Sequence, residues 1–137
     1  MYQQHLIQLY KDKAHRRPLE ASEVLAAERN PACGDEISLG FRIEDGRITE
    51  IAHQSQACSV TLASARAMCG AVEGLTPEEA RERLGAARAF FDGEGEWAES
   101  WGVPDLPALG EVRAFPMRMA CVRLPWDALA VALARVS

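Results

Sequence analysis

The sequence predicts an α+β fold in which an antiparallel hairpin is followed by a run of helices. Three observations carry this. Ile37, Leu39, Phe41 and Ile43 alternate with Glu36, Ser38, Gly40 and Arg42, the period-two pattern of a half-buried strand. Asp45-Gly46 follows directly, a strong signal for a two-residue hairpin turn. Beyond the hairpin, helix-compatible stretches dominate, and Thr76-Pro77-Glu78-Glu79 combines an N-cap, a proline at the first helical position and acids in the first turn. Strands grouped ahead of helices describe a segregated α+β domain.

Taken in order, Leu6, Ile7, Leu9 and Tyr10 fall near helical spacing, which predicts a short lead helix over Tyr2–Lys13 that Pro18 closes. A second helical stretch is expected from Ser22 through Val24, Leu25 and Ala27, ending before Pro31. Asn30-Pro31-Ala32-Cys33-Gly34-Asp35 then reads as a tight turn. Pro31 fixes its own φ, and Gly34 permits a backbone conformation closed to residues with a Cβ. After the first strand and Asp45-Gly46, Arg47–Gln56 returns as a second strand carrying Ile48 and Ile51. Ser59–Val72 is a helix of small residues that can pack closely on a sheet, which puts Cys58 just ahead of its amino terminus and Cys69 inside it. The helix opened by Thr76 runs to about Leu84, with further helical turns over Ala86–Phe91. Asp92–Gly110, rich in glycine and proline, is a loop in which Trp97 and Trp101 are read as pins to the core. Pro116–Leu124 is expected to be extended, with a packing helix from Pro125 to about Val136.

The 137 residues suit one domain, taken as 1–137. A formal net charge of -5 argues against nucleic acid or an anionic membrane as the main partner, because both select basic surfaces. No apolar run reaches membrane-spanning length, and Met1–Lys13 lacks the apolar core of a signal peptide, so a cytoplasmic location is expected. In a reducing compartment the four cysteines, Cys33, Cys58, Cys69 and Cys121, point to metal or sulfur chemistry in preference to disulfides.

Three of the four thiols fall at expected structural junctions: Cys33 in the turn, Cys58 and Cys121 ahead of helices. At a helix amino terminus the free amides and the macrodipole favour a thiolate, so Cys58 gains as ligand and nucleophile. Cys69 is read as a buried small apolar side chain. Asp35 stands two residues after Cys33, across Gly34. Cys33, Asp35, Cys58 and Cys121 together would complete a tetrahedral site for zinc or a labile iron-sulfur cluster. Spacing alone leaves the choice open, and the turn by itself also reads as ordinary structure. A carboxylate among thiolates is a harder, more weakly held ligand for a borderline-soft metal, so this set opens more readily than four cysteines would. Arg118 would offset negative charge beside these groups and favour thiolates, or else pair with a surface acid. His5, His15 and His53 match no ligand position and are read as surface or helix-end residues.

Three linked motifs, Asn30-Pro31-Ala32-Cys33-Gly34-Asp35, Ala57-Cys58-Ser59-Val60-Thr61-Leu62-Ala63-Ser64-Ala65 and Phe115-Pro116-Met117-Arg118-Met119-Ala120-Cys121-Val122-Arg123-Leu124-Pro125-Trp126, occur in this order. They resemble the IscU/SufU-type iron-sulfur cluster assembly proteins, the NifU amino-terminal domain family, over nearly the whole chain. The resemblance implies a small antiparallel sheet of about three strands packed by several α-helices. It is closer to SufU than to IscU: Ala120 stands where IscU-type scaffolds carry a histidine, Arg118 is SufU-like, and Asp92–Val112 matches the longer SufU segment.

The resemblance further implies zinc held by Cys33, Asp35, Cys58 and Cys121, and a partner that is a PLP-dependent cysteine desulfurase of SufS or IscS type. Cys33 would take the persulfide sulfur, with Cys121 the acceptor in a scaffold, and downstream cluster-assembly or acceptor proteins would follow. Such a protein is sulfurtransferase-like and is not a stand-alone enzyme. The alternatives are a scaffold that builds and transfers a [2Fe-2S] cluster, and a non-catalytic zinc-stabilised adaptor. The chain departs from the family pattern at Ala57, Arg66 and Ala120 and in the shortened entry His15-Arg16-Arg17-Pro18. These departures bear on partner recognition and leave all four ligand positions in place.

Overall fold

In a computed structural model, residues 11, 13–31, 33–94 and 116–136 are described. Strands β1 (Ala26–Asn30), β2 (Asp35–Glu44) and β3 (Arg47–Gln56) form one antiparallel sheet in the order β1-β2-β3. Helices α1 (Ser59–Val72), α2 (Pro77–Phe91) and α3 (Pro116–Arg135) follow. The α+β class and the three-stranded sheet agree with expectation. The lead helix over Tyr2–Lys13 and the loop bearing Trp97 and Trp101 lie almost wholly outside the described residues.

The hairpin forms as its sequence dictates. Asp45 (φ 53°) and Gly46 (φ 76°) both take left-handed backbone, as a turn matched to strand twist requires, and Glu44 pairs with Arg47. Further along, Gly40 pairs with Ala52 but Arg42 with Thr49, so Glu50 and Ile51 together oppose Phe41. Glu50 absorbs this bulge with φ 51°. The bulge explains an irregularity in the sequence: Ile48 and Ile51 differ in parity, yet both are buried, because the extra residue resets the alternation. At Gly40 a Cβ would overlap the Glu23 carbonyl oxygen, so the close pass of the preceding chain over β2 requires glycine there.

The stretch read as a helix from Ser22 to Ala27 is instead a 3-10 turn, Ala21–Glu23, followed by β1. Pairing overrides the local preference: Leu25 N–H donates to Leu39 O at 2.8 Å, and the ladder continues from Ala26↔Leu39 to Asn30↔Asp35. The turn around Cys33 therefore joins two strands. The second correction concerns Pro116–Leu124, which is helical and continuous with the segment beyond Pro125. Pro125 has no amide to offer the Cys121 carbonyl four residues back, and the Thr61 hydroxyl sits 3.3 Å from that carbonyl. Helix α2 is likewise one element through Phe91, its start fixed by a reciprocal capping box between Thr76 and Glu79.

The core lies between the sheet and the helices. Ile37, Leu39, Ile48 and Ile51 share one buried cluster with Val60, Ala63, Ala67, Met68 and Ala71 of α1, to which α3 adds Val122, Trp126, Leu129 and Leu133. Helix α1 is buried on nearly every side, which its small residues permit. Trp126 meets Phe91 edge-on with ring centroids 5.8 Å apart and donates from Nε1 to Ser64 Oγ at 3.1 Å. Ser64 Oγ in turn donates to Val122 O at 2.6 Å, fastening α1 to α3. Among the described residues no helix is long and apolar enough to cross a membrane.

Candidate metal centre

The β1–β2 hairpin supplies two of the expected groups. The Cys33 and Gly34 amides both donate to Asn30 O, at 3.3 and 2.8 Å, and Gly34 takes φ 76°, which closes a short loop between the paired residues Asn30 and Asp35. Cys33 is left exposed at the tip, whereas Asp35, the first residue of β2, is buried.

Cys58 is the N-cap residue of α1, as its position ahead of the small-residue helix predicts. Its amide donates to Asp35 Oδ1 at 3.1 Å, and the Thr61 hydroxyl donates to Asp35 Oδ2 at 2.6 Å. A carboxylate thus closes the positive end of the helix. Burial works against ionisation of Asp35, but hydrogen bonds from Thr61, the Cys58 and Cys33 thiols and the Cys58 amide outweigh it and hold the group below the usual carboxylate range.

Cys121 lies within α3 and not ahead of a helix start, because the helix passes through Pro125. It is buried, and its Sγ is 3.9 Å from Cys33 Sγ. Burial first, and then the neighbouring Cys58 charge, push its thiol well above the ordinary range. A cation at the same place would reverse that balance. The thiols of Cys33 and Cys121 and a carboxylate oxygen of Asp35 all lie within 4.8 Å of one another. The Cys58 thiol stands outside this close trio, 3.5 Å from Thr61 Oγ1. Arg118 is helical, one turn before Cys121, and its side chain is outside the described residues. Cys69 is fully buried, and burial pushes its thiol up, in keeping with a packing role.

The donor set fits zinc. With Zn–S bonds near 2.3 Å, a tetrahedron has an edge of about 3.8 Å, against the 3.9 Å that separates Cys33 Sγ and Cys121 Sγ. Two thiols and a carboxylate oxygen lie within 4.8 Å of one another, and the Cys58 thiol lies outside that trio.

Two polar positions escaped the sequence reading. Thr61 and Ser64 are fully buried on α1, and nothing marks them except their being hydroxyls in a helix of mostly small apolar residues. His53 is also not a surface residue: it is 2% exposed, with Nδ1 2.7 Å from Ser55 Oγ, and its backbone pairs with His15 and Arg17. His15 is partly buried and pairs with Glu73 at 3.1 Å. His5 lies outside the described residues.

Residues 1–89 match the NifU-like N terminal domain family. The chain belongs to that family. Its relatives include the zinc-dependent sulfurtransferase SufU of Bacillus subtilis, 30% identical over 138 residues with 98% of this chain and 90% of the relative covered. They also include the iron-sulfur cluster assembly scaffold protein IscU of Thermotoga maritima, 26% identical with 100% of this chain and 95% of that one covered. Among solved structures, an iron-sulfur cluster assembly scaffold for the SUF system from Fervidobacterium islandicum superposes with a TM-score of 0.82 at 28% identity, covering 94% of this chain and 93% of the other. This NifU-like chain is therefore a SufU/IscU-type member, and its sheet-plus-helices architecture is that of the family.

Proposed function

We propose that this NifU-like protein is a zinc-dependent acceptor of persulfide sulfur from a PLP-dependent cysteine desulfurase and that it feeds iron-sulfur cluster assembly in the cytoplasm. The carrying observation is the convergence of Cys33, Cys121 and Asp35 within 4.8 Å, with a zinc-like spacing between the two thiols. The name of the Bacillus relative supports the same reading. Cys33, Asp35, Cys58 and Cys121 hold the ion, which when bound keeps the thiols ionised and in register.

Cys33 is the acceptor. It is exposed on a hairpin tip where a partner's persulfide can reach it, whereas Cys121 is buried. The Cys33 thiolate attacks the terminal sulfur of the desulfurase persulfide, the desulfurase S–S bond breaks, and the partner cysteine leaves as a thiolate. A new persulfide remains on Cys33. The exchange needs no external oxidant or reductant. Arg118, one helical turn before Cys121 in sequence, is the residue assigned to offset negative charge among the ligands. The second reading, an IscU-like scaffold that assembles and passes on a [2Fe-2S] cluster, is favoured by the Thermotoga relative.

Metal content of protein purified without added metal, paired with a persulfide-transfer assay against a cysteine desulfurase, separates the readings. The acceptor gives near-stoichiometric zinc and desulfurase stimulation that Cys33→Ala abolishes. Iron with matching acid-labile sulfide and no stimulation would replace it with the scaffold, and zinc without transfer would leave only an adaptor.

A further inference from the structure

We propose that Thr61 is a positioning residue of this centre: its hydroxyl fixes the Asp35 carboxylate against the start of α1 and so sets how tightly the ligand set holds zinc. The proposal rests on the zinc reading above.

Thr61 is fully buried in the first turn of α1, where a threonine has no packing advantage over valine and carries the cost of a buried hydroxyl. Its Oγ1 reaches groups of three of the four ligand residues: Asp35 Oδ2 at 2.6 Å, Cys121 O at 3.3 Å and Cys58 Sγ at 3.5 Å. These come from β2, from the helix N-cap and from α3. One hydroxyl has one proton. The shortest contact, to the Asp35 carboxylate, takes it. The other Asp35 oxygen accepts the Cys58 amide at 3.1 Å. Pinned at both oxygens, the carboxylate cannot turn about its own axis, yet each oxygen keeps a lone pair for a cation. The β-branched side chain, stiff at χ1 in a helix, adds to that fixity. Hydrogen bonds of this kind to metal-binding groups are typically worth 10–100-fold in affinity.

The test uses the full chain with Thr61→Val, Thr61→Ala and Thr61→Ser. Zinc affinity is read by competition with a chromophoric chelator, and ligand geometry by the visible absorption of the cobalt(II) form. Val and Ala should lose about 10–100-fold in zinc affinity and alter the cobalt ligand-field bands, while Ser stays within a few-fold of wild type with an unchanged spectrum. If the Val protein does not fold, Ala against Ser decides. Wild-type affinity and spectrum in Val or Ala, even with a lowered thermal midpoint, would reduce Thr61 to a packing residue and overturn the proposal. Loss in Ser as deep as in Val would do the same, since the hydroxyl would then not be the cause. Wild-type protein that takes up no zinc would sink this inference and the zinc reading together, whereas tight zinc in both wild type and Val would sink this inference alone.

Discussion

Acid should weaken this fold through one buried side chain. Burial, followed by the nearby Arg16 guanidinium and then His15, lowers the His53 pKa from 6.5 to about 4. The sign follows from proton counting: between those two values the unfolded chain holds a proton on this imidazole that the folded chain refuses, so stability rises with pH there. The contribution is complete above the unfolded value and disappears as pH falls toward the folded one. Across the whole window the shift corresponds to ~3 kcal/mol, of which roughly 2 kcal/mol is gone by pH 5. Carboxylates held below their usual range, Asp35 among them, lose their own contribution at lower pH, so a difference measurement is needed. Urea unfolding of wild type and His53→Gln from pH 7.5 to 5 isolates the His53 contribution. Glutamine can still bond to Ser55 but does not titrate. The stability advantage of wild type should shrink by about 2 kcal/mol over that range. Parallel profiles for the two proteins would show that His53 ionises in the folded state without penalty, and would refute the argument from burial.

Three further outcomes follow from the packing. Ser64→Ala should cost about 1–3 kcal/mol in thermal or urea unfolding, because it removes the buried hydroxyl that accepts from Trp126 Nε1 and donates to Val122 O; adding Trp126→Phe should cost less than the sum of the two single changes, and strict additivity would show that the Ser64–Trp126 hydrogen bond contributes nothing. Gly40→Ala should destabilise by about 1–3 kcal/mol as the Glu23 backbone is displaced, whereas Gly85→Ala, in open space on α2, should stabilise by about 1 kcal/mol; equal effects at the two sites would discredit the steric account. Native alkylation followed by mass spectrometry should label exposed Cys33 first and fully buried Cys69 last. Early labelling of Cys69 would mean that α1 opens before the hairpin does.

The two halves of the candidate site differ in how far the sequence reveals them, and the difference is physical. Asp45-Gly46, Thr76-Pro77 and the cysteine ahead of Ser59 act through local backbone chemistry, and the elements they predict form where expected. Ser22–Ala27 and Pro116–Leu124 mislead because their conformations are decided by partners far along the chain. β1 exists only because β2 offers it a ladder, and α3 continues through Pro125 while its flanks pack on α1 and β1. The same long-range contacts build the candidate metal centre. Cys33 and Asp35 arrive on a hairpin that requires β1, and Cys121 arrives on a helix that runs through its proline. A residue such as Thr61, which joins these pieces, has no local signature at all: its role is defined by three acceptor and donor groups up to 60 residues away. Ligands carry the chemistry and can be found by residue type. The groups that hold them in place are found only once the fold has brought the distant segments together.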